Sequence, residues 1–191
     1  MVSSGSNPSD PASWEKKALG QLVEATEYAN LTEKKYCFVW DRNGNVPMFF
    51  KYKGQLIDLA PKLVAKAMSK ETDDTIAEYL RAQLVVGMRT GDKILIDMGK
   101  LNPDWAALTK DGVFLPDLVF NRTEWYKHDN YIKYVKDEEN YSVGGLNKGM
   151  YRLIDDSFCL NICSQADNEE EAKKQAEALP NAAEWKFIII Q

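Results

Sequence analysis

The sequence predicts an α/β fold in which a mostly parallel sheet is covered by helices on both faces, a three-layer αβα arrangement. Short, fully apolar runs recur along the 191 residues, and such runs are typical of strands buried on both faces. Between them lie segments whose apolar residues have helical spacing. Strands that alternate with helices indicate parallel pairing through right-handed crossovers.

Composition and charge exclude several classes of protein. A content of 45% hydrophobic and 11% aromatic residues is too high for a disordered chain, and the length suits one domain. The net charge is −5 and no basic run or basic helix face is visible, so we expect neither nucleic acid nor membrane partners. No apolar run approaches the roughly 18 residues of a membrane helix. We therefore expect a cytoplasmic protein.

The cysteines and the histidine do not form a recognisable metal or redox motif. Cys37, Cys159 and Cys163 all fall in apolar runs, and no CxxC pair exists. His128 is far from them in the sequence. We predict buried thiols, no bound metal and no cofactor.

The chain begins with a segment rich in Ser, Asn, Gly and Pro, which predicts a flexible tail over residues 1–12. Residues 13–191 are predicted to form a single α/β domain. Ser13 is a suitable N-cap, and a stripe of apolar residues at helical spacing predicts an opening helix after it: Trp14, Ala18, Leu22, Ala25 and Ala29.

Residues 36–40 are fully apolar and predict the first strand, which ends at Asp41. Asn43 and Gly44 then predict a turn, because both residues tolerate positive φ. Residues 45–54 are ambiguous. Helical spacing, with a proline suited to a first turn, favours a short helix, whereas Asn-Gly between aromatic-rich runs is also a hairpin signal.

Two helices are predicted next. Apolar residues at helical spacing indicate the first over residues 56–68. Thr72 and the acidic residues after it predict the start of the second, and Gly91 its end. Residues 94–97 then form an apolar run that ends in Asp97, which predicts a central strand carrying a carboxylate to its carboxyl end, where open α/β sheets bind ligands.

Residues 104–150 form an irregular insertion rich in aromatic residues. Long irregular segments of this kind are often binding surfaces, and aromatic residues dominate interface energetics. The alternative is that the aromatic side chains cover the edge of the domain's own core. Under the first interpretation, the candidate partner-binding residues are Trp105, Phe114, Trp125, Tyr126, Tyr131 and Tyr134.

The last part of the chain returns to alternating strands and helices. Residues 150–154 and 158–163 resemble strands separated by a turn. Asn168 and the glutamates after it predict the start of a helix that Pro180 ends. Residues 185–190 are apolar and predict a final strand buried inside the sheet, whose removal should unfold the domain.

No motif supports catalysis. The chain contains neither G-x-x-x-x-G-K-[ST] nor G-x-G-x-x-G, and the loop after the first strand has one glycine and a proline that lacks an amide donor. Asp97 could hold Mg²⁺ through water, but a strand-end aspartate bonded to nearby backbone is the alternative. The residues of a residual nucleotide pocket are predicted to be Asp41, Lys51, Asp97 and Ser164.

Three segments together resemble a known family. They are the strand and glycine turn of residues 39–44, the strand and Leu-Asn-Pro element of residues 94–103, and the Asp-Ser-Phe start of residues 156–164. Their order is similar to that of the degenerate AAA+ modules of dynein heavy chains, especially the fifth. The resemblance implies a P-loop NTPase-like fold without a functional phosphate loop, acting as a structural member of an assembly.

The sequence thus favours a non-catalytic scaffold protein, a pseudo-NTPase interaction module. The resemblance implies protein partners in a cytoskeletal or ciliary assembly, such as microtubule or axonemal components. The alternatives are a nucleotide-binding or phosphoryl-transfer enzyme and a nucleotide sensor without turnover.

Overall fold

A computed structural model describes residues 7–191 and confirms the α/β fold. Its single sheet has six strands, all parallel, in the order β1-β6-β2-β5-β4-β3. The strands are β1 (Glu15–Lys17), β2 (Cys37–Trp40), β3 (Gln55–Asp58), β4 (Lys93–Asp97), β5 (Cys159–Ser164) and β6 (Lys186–Ile190).

Eight α-helices accompany the sheet in the described residues: α1 (Leu22–Glu27), α2 (Asn45–Lys53), α3 (Ala60–Ala67), α4 (Asp73–Thr90), α5 (Pro116–Val119), α6 (Arg122–Trp125), α7 (His128–Tyr131) and α8 (Glu169–Glu177). None of the helices in residues 7–191 is both long enough and apolar enough to cross a membrane.

The helices form two layers, one on each face of the sheet. On one face α1 and α2 bury Leu22, Val46 and Phe50 against the strands. On the other face α4, α8 and the 104–150 insertion pack over the opposite side chains of the same strands. β2 leads into α2 on the first face, and its neighbour β5 leads into α8 on the second face. The two connections therefore diverge at the carboxyl ends of β2 and β5. Ligands bind at such divergence points in open α/β sheets.

The predicted opening helix is wrong over its first residues. Trp14 is buried between Phe38 and Phe187, with ring centroids 5.6 and 5.3 Å away, and the chain then runs beside β6 as β1. The apolar residues at helical spacing lie in an α-helix only from Leu22, where α1 begins. Sheet pairing and aromatic packing override local helical propensity here. Of the predicted tail, residues 1–6 lie outside the described residues, and Pro11 is buried.

The helix predicted over residues 56–68 is two elements. Residues Gln55–Asp58 form β3, in which Leu56 lies opposite Leu95 of β4, and α3 follows from Ala60. The apolar residues of this segment fit both periods over so short a stretch. The favoured helix over residues 45–54 is confirmed as α2, so the hairpin alternative is wrong.

The strand predicted at residues 150–154 is absent from the described chain. These residues run along α4 instead, because their polar groups bond to it: the Tyr151 hydroxyl donates to the Val85 carbonyl at 2.7 Å, and the Ile154 amide donates to the Met88 carbonyl at 2.9 Å. The apolar pattern of this segment reflects the burial of Tyr151 and Leu153, which here does not come from strand pairing.

Candidate functional site

The candidate site lies at the carboxyl ends of β2, β4 and β5, where the chain diverges. Three of the four predicted pocket residues meet there: Asp41 follows β2, Asp97 ends β4 and Ser164 ends β5. Lys51 is not among them, because it lies exposed in the last turn of α2, roughly 9 Å along the helix axis from its first residue. Polar residues therefore lie together at the carboxyl ends of these parallel strands, but the predicted lysine is not among them.

The Asp41 carboxylate occupies the start of α2. It is fully buried and accepts hydrogen bonds from the backbone amides of Asn43, at 3.1 Å, and Val46, at 2.6 Å. Gly44, with φ of +71°, gives the turn that brings these amides round the carboxylate. Free amides at a helix start, together with the helix dipole, are what phosphate-binding loops use to hold an anion. Here an anion of the protein itself already uses them.

Asp97 is held in the same way by its neighbours. Its carboxylate accepts a hydrogen bond from the Gly99 backbone amide at 2.9 Å, and the Nε2 atom of Gln165 donates to both carboxylate oxygens, at 3.0 and 2.9 Å. Burial raises the pKa of Asp97, the bonds from Gly99 and Gln165 oppose that rise, and the charges of Asp58 and Asp41 add to it. This geometry matches the alternative of a strand-end aspartate bonded to nearby groups.

Ser164 is also fully engaged within the protein. Its hydroxyl donates to the Gln175 side chain of α8 and accepts from the Ala166 amide at 3.2 Å. The Gln175 amide group in turn donates to the Leu101 carbonyl at 2.7 Å. This chain of bonds ties the end of β5 to α8 and to the segment after β4.

Sequence reasoning missed two residues of this site. Gln165 fills the space beside Gly44, where an added Cβ would lie 3.0 Å from its Oε1 atom. Its position directly after a strand was the only signal, and it belongs to no motif. Asp58 pairs in register with Asp97, and it was missed because β3 was assigned to a helix.

A cleft of about 280 Å³ lies beside the site and is lined by Trp40, Arg42, Asn43 and the end of β6, and the lining of this cleft does not include Asp41, Asp97 or Ser164. Within residues 7–191, no group of three or more His, Cys, Asp or Glu side chains is placed to hold a metal ion.

The six aromatic residues predicted to bind partners do not form an exposed surface. Five of them are at most 5% exposed and Tyr126 is half-buried: Trp105, Phe114, Trp125, Tyr131 and Tyr134 belong to the core. Rings pack edge to face, as between Trp105 and Phe120, whose centroids are 4.9 Å apart. The alternative, in which the insertion covers the domain's own core, describes this structure.

A different part of the insertion does expose apolar side chains. Residues 141–150 form a tight loop, closed by bonds from the Ser142 amide to the Asn147 carbonyl, 2.9 Å, and from the Gly149 amide to the Asn140 carbonyl, 2.7 Å. Val143, Leu146 and Met150 project from it and are 51, 84 and 62% exposed. We call residues 141–150 the apolar loop.

Comparison of the chain with protein-family models, with curated proteins and with solved structures gave no match. Function is therefore inferred from the fold and from the side chains that it brings together.

Proposed function

We propose that this protein is a non-catalytic interaction module whose α/β frame resembles that of a nucleotide-binding domain but no longer binds nucleotide. The observation that carries the proposal is the Asp41 carboxylate at the start of α2, bonded to the Asn43 and Val46 amides. A phosphate group needs these same donors.

Electrostatics supports the same conclusion. A phosphate at this edge would meet the carboxylates of Asp41 and Asp97, with Asp58 beside them. Like charges a few ångströms apart repel strongly in a partly buried site. The nearby basic side chains point elsewhere in the described chain: Lys51 lies at the far end of α2, Arg42 is exposed on the neighbouring loop, and Lys100 pairs with Asp167.

The proposal predicts that nucleotides do not stabilise the protein. We expect no change in melting temperature with ATP, ADP, GTP or GDP, each with Mg²⁺, although a ligand present at 100 times its Kd would add about 2.7 kcal/mol to the free energy of unfolding. Differential scanning fluorimetry and isothermal titration calorimetry measure this. Asp97→Asn serves as the matched variant, because it keeps the shape of the side chain.

Two outcomes would replace the proposal. Micromolar binding with Mg²⁺-dependent release of phosphate, lost in Asp97→Asn, indicates an enzyme. Binding without any product indicates a nucleotide sensor.

The apolar loop is the part of the described surface that best suits an interaction role. It exposes three large apolar side chains within ten residues, and apolar side chains grouped on a surface are a feature of interaction sites. The resemblance to dynein modules suggests a cytoskeletal or ciliary assembly as the setting, with other proteins of that assembly as partners.

We predict that Leu146→Ser combined with Met150→Ser weakens association with the assembly while leaving the melting temperature within about 1 °C of the wild type, because both residues are more than half exposed. Quantitative proximity labelling in cells compares the neighbours of the two proteins. Met68→Ser is the matched control, since Met68 is similarly exposed but lies after α3. Equal losses in the control and the double variant would place the interaction elsewhere.

A further inference from the structure

Two arginine side chains of residues 7–191 are buried, and their surroundings differ sharply. Arg81 is 3% exposed and forms ion pairs with Glu78 and Glu139. Arg122 is 8% exposed, but no carboxylate of the described chain lies within ion-pair distance of it, and its Nε is buried without an acceptor. A buried donor without an acceptor is unfavourable. The Nε–H group of Arg122 therefore lacks the acceptor that its burial calls for.

The guanidinium is fixed in position by Tyr126. Arg122 is the first residue of α6, and its Cζ lies 3.8 Å from the centroid of the Tyr126 ring one turn later. The Tyr126 hydroxyl donates to the Phe158 carbonyl at 2.9 Å, which holds the ring against the amino end of β5. Stacking uses the face of the guanidinium and leaves its N–H edges for a planar or tetrahedral acceptor.

Tyr36 supplies a second unused donor at the same end of the sheet, because it directly precedes β2, and β2 pairs with β5, which begins just after Phe158. Its hydroxyl is buried and has no hydrogen-bond partner. Burial raises the pKa of Tyr36 well above its ordinary value, Tyr126 adds to the rise, and the positive charge of Arg122 acts against it. The hydroxyl is therefore protonated at neutral pH and can donate. Arg122 also acts on Cys159, a thiol whose burial raises its pKa to about 12, so this neighbour supplies no negative charge either.

We propose that Arg122 and Tyr36 form a binding position for a small oxyanion, a carboxylate or phosphate group, at the amino ends of β2 and β5. The guanidinium supplies paired N–H donors, which suit such groups better than any other side chain. The position lies at the opposite end of the sheet from Asp41 and Asp97, so it is independent of whether nucleotide binds there.

The test is a titration of the full chain with sodium phosphate and with sodium acetate, each against sodium chloride at constant ionic strength. We expect a saturable rise in melting temperature with at least one of the two oxyanions, and the stronger of the two identifies the ligand chemistry. Arg122→Lys should weaken the apparent Kd at least tenfold and Tyr36→Phe several-fold. Arg152→Lys, at an exposed arginine, should leave it unchanged.

A wild-type protein that melts at the same temperature in oxyanion and in chloride overturns the proposal, as does an Arg122→Lys variant with the wild-type Kd. If Arg122→Lys does not fold, the wild-type protein still decides the question through the ¹H–¹⁵N resonance of the Arg122 Nε–H group. That resonance should shift with the same Kd as the melting temperature. A stationary resonance during a rising melting temperature places the binding elsewhere and also overturns the proposal.

Discussion

Deletion of residues 185–191 is expected to abolish cooperative folding. These residues contain β6, which lies inside the sheet between β1 and β2 and pairs with both. Without β6, the backbone of β2 loses a pairing partner. The rings of Trp14 and Phe38 also lose their contacts with the Phe187 ring. Circular dichroism should show a broad thermal transition or none, and limited proteolysis should degrade the shortened chain at rates typical of unfolded protein.

Two point substitutions in β6 test whether the deletion acts through the lost core packing and not only through the shorter chain. Ile188 is fully buried against the helices of one face, whereas Ile189 is only partly buried on the other. Ile188→Ala should lower the free energy of unfolding by about 2–5 kcal/mol, and Ile189→Ala by clearly less. Equal losses in urea denaturation would show that β6 does not sit in the sheet in the register described.

The strands that the sequence could predict are those that are buried on both faces. β2, β4, β5 and β6 read as continuous apolar runs because each has neighbours above, below and at both edges. The two edge strands were missed. β1 reads Glu-Lys-Lys, and β3 is half-exposed, so neither has the composition of a buried strand. Their strand conformation comes from pairing with β6 and β4, which are distant in sequence.

The candidate site was only partly predictable for a similar reason. The sequence placed Asp41 and Asp97 correctly at strand ends, because a polar residue directly after an apolar run is a local signal. It could not show that Asp41 turns back onto the amides of its own loop, or that Gln165 donates to Asp97 across the sheet. Those contacts decide whether the carboxyl ends of β2, β4 and β5 can accept a ligand, and they depend on tertiary geometry.

A buried amide pair shows the same limit. Asn161 lies in the middle of β5 and accepts from the Asn30 amide group at 3.1 Å, while the Asn30 carbonyl oxygen accepts from the Leu160 amide at 3.0 Å. Asn30 reaches this position because the chain after α1 forms a π-helical turn at Tyr28–Thr32. An asparagine within an apolar run gives no hint of a partner 131 positions away.

The 104–150 insertion is anchored to α4 by Arg81. All five guanidinium N–H groups have acceptors: Glu78 and Glu139 each receive two bonds, of 2.6 to 2.8 Å, and the Tyr134 carbonyl receives one of 2.7 Å. The side chain is only 2% exposed. Such a fully satisfied network fixes the insertion in one orientation on the helix.

Arg81→Met is expected to lower the free energy of unfolding by about 3 kcal/mol. Removing one partner of a buried ion pair costs about 3–5 kcal/mol, and the lower end applies because both glutamates remain partly in water. Lys136→Met is the matched control, because Lys136 forms an exposed ion pair with the same Glu78. This variant should lower the free energy of unfolding by less than about 1 kcal/mol. Urea denaturation at neutral pH measures both, and similar losses would contradict a structural role specific to Arg81.

The pH dependence of stability provides an independent test of the same network. Hydrogen bonds from Arg81 and Lys136 outweigh burial and lower the pKa of Glu78 from 4.5 to about 2. For Glu139, burial raises the pKa, but bonds from Arg81 and the Lys136 amide lower it further than burial raises it. Because the folded pKa lies below the unfolded one, the contribution of Glu78 is complete above pH 4.5 and is lost as the pH falls toward 2. The wild-type melting temperature should therefore fall more steeply across this window than that of Arg81→Met, and parallel curves would show that Arg81 does not stabilise the ionised glutamates.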